Sequence, residues 1–489
     1  MSASKACGED GITVSMLRNT FSVVGPHLLH VMNASIVSGI VPLDWKLATV
    51  SPLHKSGSKT DPNNYRPISI LPTVAKLAER VVCDQLMEYL SDNYVLCEQL
   101  HGFRPGHSTE TAMLDAVMYL TESLDKGQIA SLSAIDTSKA FDSVEHGRLL
   151  EKLAWYGIEQ HWFCDWLNGR RQRVRDGNDV LPLTHGVIQG SILGPILFLL
   201  FTNDFPSHIT GCRLIMYADD VQFIHTCHPK DLTQLKERIE ESLKIADAWF
   251  SQNSLKINPT KTDFMLVHTH QRRSVGTFSI DFDSSTIHPS QSLKTLGVVV
   301  DKNLTWEAHV SAVIKRCYAC ICGLSKFSQK LTESVKKRLI EALVFPHLMY
   351  CLTVWGSCSK AQRYRIQKVI NHCVRIVKGA RRYDHVTPLL TELGWQRFDD
   401  LLNQRDLAAM HMILHSPRSP VCLRERVTYR ETVSSRVTRG TADRLLELPR
   451  VRTEIARRCF AFRAVSAWNN SRLASRESTI PRTCTRRAQ

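Results

Sequence analysis

Tyr217-Ala218-Asp219-Asp220 stands between two short apolar stretches, Cys212 to Met216 and Val221 to His225, that read as the arms of a hairpin with two carboxylates at its tip. Adjacent acids in so apolar a setting repel and resist desolvation unless a cation compensates them, so the economical reading is a magnesium site. For the motif alone, a solvated acidic turn is the alternative. A third acid favours the metal. Ile129 to Ile135 has the look of a buried strand and delivers Asp136 at its end, followed by Thr137-Ser138-Lys139-Ala140-Phe141-Asp142. A third carboxylate on a neighbouring strand is what two-metal phosphoryl transfer requires. One ion activates the attacking hydroxyl while the other holds the triphosphate and the leaving oxygen, and both take hard oxygen ligands. Between these acids lies Gly186-Val187-Ile188-Gln189-Gly190-Ser191-Ile192-Leu193-Gly194-Pro195, a glycine-bearing turn running into an apolar helix, Ile196 to Phe201. Glycines there let backbone approach a nucleotide, and Gln189 can donate or accept at a base or sugar.

The elements that must carry these groups are also patterned. A strand from Leu47 to Leu53 follows a break containing Pro42. Lys55-Ser56-Gly57-Ser58-Lys59 then forms a basic loop suited to folding over a triphosphate, with an ordinary solvated turn as the alternative. Helices are expected over Val74 to Leu90, Thr111 to Leu124 and residues 144–167, and strands within Val174 to His185 around the turn Asp176-Gly177-Asn178. Beyond the acidic hairpin, Asp231 and Gln234 can cap a helix whose apolar face is Leu232, Leu235, Ile239, Leu243, Ala246 and Trp249. Strands near Phe264 to His268 and Thr295 to Val300 are expected to complete a mixed sheet. From Trp306 the pattern is helical and basic. Ile366, Val369, Ile370, Cys373, Ile376 and Val377 keep to one stripe, which leaves Arg363, Lys368, Arg375 and Lys378 to meet phosphates.

Composition narrows the partner. Lys and Arg number 62 against 47 acids in 489 residues, a net charge of +15, so an anionic polymer is the natural partner, with plain solvated positive surface as the alternative. Residues 416–489 hold 17 arginines, no lysine and 6 acids, a net +11, with Phe460, Phe462 and Trp468 interleaved. That segment reads as a clamp on nucleic acid or else as a solvated tail, with aromatics that could stack on bases or simply pack. Fifteen cysteines, an odd number spread over the chain, argue for a reducing intracellular compartment. Cys317 and Cys320 have half of a zinc spacing, yet Cys317 falls on an apolar helical stripe and core packing is the better reading. The start lacks the apolar region of a signal peptide, and the longest apolar stretch is broken by Gly194 and Pro195, so no membrane span is expected and the location is nucleus or cytoplasm.

The chain resembles the reverse transcriptases of non-LTR, jockey-like retrotransposons. Seven blocks fall in that family's order over roughly residues 8–310: Asn64-Tyr65-Arg66-Pro67-Ile68-Ser69, Gln99 to Arg104, Asp136 with Ser138 to Asp142, Gln189-Gly190-Ser191, Tyr217 to Asp220, Asn258 with Lys261-Thr262, and Leu296-Gly297-Val298. Ile188 departs from it, since proline is commoner there. The resemblance implies an α/β right-hand polymerase, with an extension at 1–35, fingers and a mixed or antiparallel palm over 36–300, a helical thumb and connection over 301–415, and the arginine-rich region after it. It implies that Asp136, Asp219 and Asp220 hold two Mg2+ ions, for which Mn2+ can substitute. Phe141 would exclude a 2′-hydroxyl, Gln189 would touch nucleotide or template, and Arg66, Arg104 and Lys55 would lie near the triphosphate. Lys261 would protonate the departing pyrophosphate, and Leu296-Gly297 would hold the primer end. An RNA template, a DNA primer or target and dNTPs are the implied partners, joined in target-primed reverse transcription. Family-like Gly8, Asp10, Gly11 and Ile12 lie at the very start, so the family's endonuclease is expected to be missing and the chain to be a fragment of a longer product. Two rivals stay open: a decayed or domesticated copy that only binds RNA, and an RNA-dependent RNA polymerase.

Overall fold

The structure is a computed structural model that describes residues 7–175, 177–269, 278–283, 285–433 and 445–471. Among them the elements run α1 (Val14–Ser38), β1 (Leu47–His54), β2 (Tyr65–Ile70), α2 (Thr73–Asp92), α3 (Thr109–Asp125), β3 (Ile129–Ile135), α4 (His146–Trp155) and α5 (His161–Leu167). Then come β4 (Arg171–Val174), β5 (Val180–Pro182), α6 (Gly194–Thr202), β6 (Arg213–Tyr217), β7 (Asp220–Cys227), α7 (Leu232–Gln252) and β8 (Asp263–Val267). Two hairpins, β9 (Ile280–Phe282) with β10 (Ser285–Ile287) and β11 (Ser292–Thr295) with β12 (Val298–Asp301), precede α8 (Glu307–Ser325) and a helical remainder. No helix among the described residues is long and apolar enough to cross a membrane.

The chain divides into two units. The first comprises residues 1–103, 136–210 and 242–260. Its sheet runs β2-β1-β4-β5, antiparallel except where β1 pairs parallel with β4. The expected helix over 144–167 is two helices, because the chain turns at Gly157, whose φ of 75° suits glycine. The strand expected after Val174 begins earlier, at Arg171, and Asp176 of the anticipated turn lies outside the described residues.

The second unit comprises residues 104–135, 211–241 and 261–489. Its sheet, β6-β7-β3-β8, is antiparallel throughout. β3 lies between two partners and is buried at six of its seven residues, which explains why Ile129-Ala130-Ser131-Leu132-Ser133-Ala134-Ile135 is apolar or small at every position instead of alternating. α3 packs on this sheet, starts from a reciprocal capping box between Ser108 and Thr111, and is buried without a break from Thr111 to Met118. Of the mixed or antiparallel sheet expected here the antiparallel form is present, with one correction: the strand near Thr295 to Val300 is split between the arms of the separate β11–β12 hairpin.

Unit 2 includes the helical part of the chain beyond β12. Its core joins Trp306, Cys317, Trp355, Ile366, Cys373 and Phe398. Cys317 thus packs on the apolar stripe, where burial pushes its thiol up to about 12, so core packing holds. Of the four cations assigned to phosphates in the helix Lys360–Lys378, Lys378 is taken by Glu333 at 2.6 Å and Glu392 at 3.0 Å, and Arg363 lies 3.3 Å from Asp399.

The larger correction concerns the arginine-rich end. Its described part belongs to the same core: Leu446, Phe460, Ala464, Val465 and Trp468 are buried, so Phe460 and Trp468 are packing residues and not stacking surfaces. The Asn469 side chain donates to the carbonyl of Leu446 and accepts from its N–H, both at 2.9 Å. Arg463 clasps Asp406 with two nitrogens and donates to the Thr353 carbonyl at 2.8 Å. Arg426 bridges Asp115 and Glu122. Residues 434–444 and 472–489, with their share of the arginines, lie outside the described residues.

Candidate active site

Tyr217 pairs with Asp220 across the β6–β7 ladder, which leaves Ala218-Asp219 as a two-residue turn. Ala218 has a φ of 55°, the left-handed backbone that tight hairpins demand and that a residue with a Cβ adopts at some cost. The hairpin is as expected, with one difference: Asp219 lies in the turn, whereas Asp220 is the first residue of β7. Both carboxylates are partly exposed, while Leu214 to Met216 and Val221 to His225 are buried. The hairpin tip therefore carries two acids, one in the turn and one at the first position of β7, at the end of an otherwise dry ladder. β3 ends at Ile135 opposite Val221, and Asp136 is the next residue of the chain.

Two contacts tie this hairpin's unit together behind the acids. Gln222, buried two residues past Asp220, donates its amide to Thr295 Oγ1 at 2.7 Å. Leu296 and Gly297 form the β11–β12 turn with φ values of 44° and 78°, and the Tyr350 hydroxyl donates to the Leu296 carbonyl at 2.7 Å. A Cβ on Gly297 would come within 3.1 Å of the Tyr350 ring, so glycine serves there both for its backbone and for its size. Lys261 is exposed at the entrance to β8, and Arg104 is partly exposed. His107, beside Arg104, is held near 4 by burial and by that guanidinium, so it is neutral at physiological pH.

The first unit carries the remaining candidates. The Asp136 carbonyl accepts from Asn258 N–H at 2.9 Å, and Thr137 bridges Ile257. Phe141 stacks on Phe198 with centroids 4.3 Å apart and meets Phe103 edge-on at 6.0 Å. Its carbonyl accepts from Val187 N–H at 2.8 Å, so the aromatic and the glycine-bearing turn are fastened to each other. Gln189 donates its amide to Asp142 Oδ1 at 2.9 Å, and its carbonyl accepts from Ser69 N–H at 2.7 Å. Burial raises the Asp142 carboxyl above its ordinary range, against the pull of Gln189 and Lys139. Gly190, at φ 121°, lies so close to β2 that a Cβ would fall 2.2 Å from the Ser69 carbonyl oxygen. Arg66 on β2 and Lys55 after β1 are both exposed; the Lys55 N–H closes their hairpin on the Asn64 carbonyl at 2.7 Å.

Sequence reasoning passed over Glu79, Trp166 and Arg170, a buried group beneath this turn. The signal was an acid among apolar residues of α2. Asp219 and Asp220 are consecutive and both partly exposed, and carboxylate oxygens are hard donors of the kind divalent cations take.

Residues 53–300 match the model of the reverse transcriptase (RNA-dependent DNA polymerase) family, and the chain belongs to that family, whose fold is the α/β right hand. Every candidate from Lys55 to Gly297 falls inside the matched span. Over 398 residues the chain is 28% identical to the probable RNA-directed DNA polymerase from transposon BS of Drosophila melanogaster, covering 77% of this chain and 43% of that protein. It is 26% identical over 414 residues to the RNA-directed DNA polymerase from mobile element jockey of the same organism, covering 81% of this chain and 45% of that one. The chain thus spans less than half the length of these relatives. Among solved structures, apo telomerase from Candida tropicalis aligns with a TM-score of 0.38 at 13% identity, over 82% of this chain and 72% of that one.

Proposed function

We propose that the chain is the RNA-directed DNA polymerase of a non-LTR retrotransposon, extending a DNA primer 3′-hydroxyl on an RNA template with dNTPs, inside the nucleus or cytoplasm. The observation that carries this is the Tyr217-to-Asp220 turn at the end of a buried antiparallel ladder, within a span that matches the reverse transcriptase family. Asp136, Asp219 and Asp220 would hold two divalent ions, magnesium by preference and manganese as substitute, which supply Lewis acidity to the attacking hydroxyl and neutralise the leaving pyrophosphate. The chain's own contribution is positioning and charge.

Phe141, backed by Phe198, presents a rigid ring that excludes a ribose 2′-hydroxyl. Gln189, its amide fixed by Asp142, sets the turn that meets the nucleotide or template. Arg66, Arg104 and Lys55 neutralise the triphosphate, Lys261 gives a proton to the departing pyrophosphate, and Leu296-Gly297 supports the primer end. A nick in target DNA supplies the primer 3′-hydroxyl. In this reading residues 36–300 are fingers and palm, and residues 301–415 are the helical thumb and connection.

The test is primer extension on an RNA template with dNTPs or rNTPs and magnesium. Extension with dNTPs is the expected result. Tight binding with no extension would identify a non-catalytic RNA-binding remnant, and preference for rNTPs would identify an RNA-synthesising enzyme.

A further inference from the structure

Acidic and basic side chains are almost never fully buried unless paired, yet Glu79 on α2 and Arg170 before β4 are each only 2% exposed. Their closest approach is 3.9 Å, too long for a hydrogen bond, so Arg170 supplies charge and not the contact that orients Glu79. The Glu79 oxygens are instead used by two donors. Oε2 accepts from the backbone N–H of Ile192 at 2.7 Å, and Oε1 accepts from the Trp166 indole at 3.1 Å. The Leu193 N–H adds to the same carboxylate. Arg170 lies flat against the Trp166 ring, 4.0 Å from its centroid, and donates to the Trp166 carbonyl, so carboxylate, indole and guanidinium form one locked stack.

That group meets the glycine-bearing turn at Ile192, three residues beyond the position that β2 holds. Ser69 binds the turn at Gln189, and Gly190 lies against the Ser69 carbonyl, so the first half of the turn is held by β2. Ile192 and Leu193, the last residues before α6, have N–H groups that no preceding helical turn can satisfy, and Glu79 is the acceptor they reach. Burial raises the Glu79 carboxyl above its ordinary range, against the pull of Arg170 and of these N–H groups, and its ionised form is complementary to the positive end of the α6 dipole.

We infer that Glu79, with Trp166 and Arg170 as its support, is a positioning residue for nucleotide selection, pinning the Gln189-Gly190-Ser191 turn through the Ile192 N–H. The inference rests on the reading of Gln189 as a nucleotide contact. Glu79 touches no substrate; it acts by keeping the Gln189 side chain in one place.

The decisive variant is E79M/R170M, which removes both buried charges together and so avoids a lone buried ion. With folding verified by melting temperature, hydrogen exchange of the 186–194 peptide is expected to quicken, and KM for dNTPs to rise about tenfold with a smaller change in kcat. Affinity for primer-template should stay at the wild-type value. E79Q serves if the double variant does not fold: its amide turns a donor toward Ile192 or Trp166, and the same two readouts should shift in the same direction, less strongly. Unchanged exchange in 186–194 in a folded variant overturns the anchoring. Faster exchange with unchanged KM overturns the role in selection. A wild-type enzyme that fails to extend primers would count against the polymerase reading, while the exchange comparison still decides whether Glu79 pins the turn.

Discussion

Asp219 and Asp406 are both aspartates beside apolar surroundings, but they differ in burial. Asp406 is fully buried, and Arg463 grips both its oxygens; burial still pushes its carboxyl up against that pull. Asp219 is partly exposed in a two-residue turn at a ladder end. The first acid is paired with Arg463 inside its own unit, and the second is partly exposed at the hairpin tip. The same contrast separates the described arginines. Arg426 and Arg463 face acids of their own unit, whereas Arg66 is exposed on β2. A charge count alone does not tell such groups apart. Burial and partner do.

The sharpest way to break the comparison is to remove one acid of each kind. Asp219→Asn, and equally Asp136→Asn, should lower magnesium-dependent extension at least a few hundredfold, with melting temperature and primer-template binding nearly unchanged. Asp406→Asn should do the reverse, costing about 3–5 kcal/mol of stability because Arg463 is left as a buried uncompensated charge. Extension rates set beside chemical denaturation would decide it. Wild-type extension in the Asp219 variant would end the metal assignment.

Truncation after His415 comes next in size. If the arginines were an external clamp, the shortened protein would fold and merely bind nucleic acid with a flatter salt dependence. Because Phe460, Val465 and Trp468 are core and Arg463 is the partner of Asp406, the expected outcome is failure of unit 2 to fold, visible as insoluble protein or a lost cooperative transition. A soluble, active truncation would overturn that.

Phe141→Ala should raise rNTP use relative to dNTP use by about tenfold or more, since a steric exclusion worth a pocket contact disappears. It also forfeits the stack on Phe198, about 1 kcal/mol. An unchanged dNTP to rNTP ratio of kcat/KM would leave Phe141 a packing residue. The smallest effect is expected from Tyr350→Phe. Loss of its bond to the Leu296 carbonyl costs about 1 kcal/mol and should weaken primer-template binding a few-fold without altering dNTP KM. A shift in dNTP KM alone would move Leu296-Gly297 away from the primer.

The features legible in the chain are those whose cause is local. A seven-residue apolar run ending in Asp136 makes a buried strand because each position must tolerate a dry neighbour on either face, and its ends match the strand residue for residue. The β6–β7 hairpin and α7 likewise follow from short-range turn chemistry and helical periodicity. The strand expected over Thr295 to Val300 was misplaced because strand pairing depends on partners that periodicity does not name.

The sequence by itself determined that carboxylates would stand at Asp136, Asp219 and Asp220, that a glycine-bearing turn would carry Gln189, and that the surroundings would be apolar strand and helix. Those facts are written in neighbouring residues, through side-chain period and turn preference. Only the tertiary structure decided that Glu79 meets Ile192 from 113 residues away and that Arg463 meets Asp406 from 57. A charge's role depends on what lies across the fold from it, because desolvation and pairing act through space and leave no mark in the local pattern.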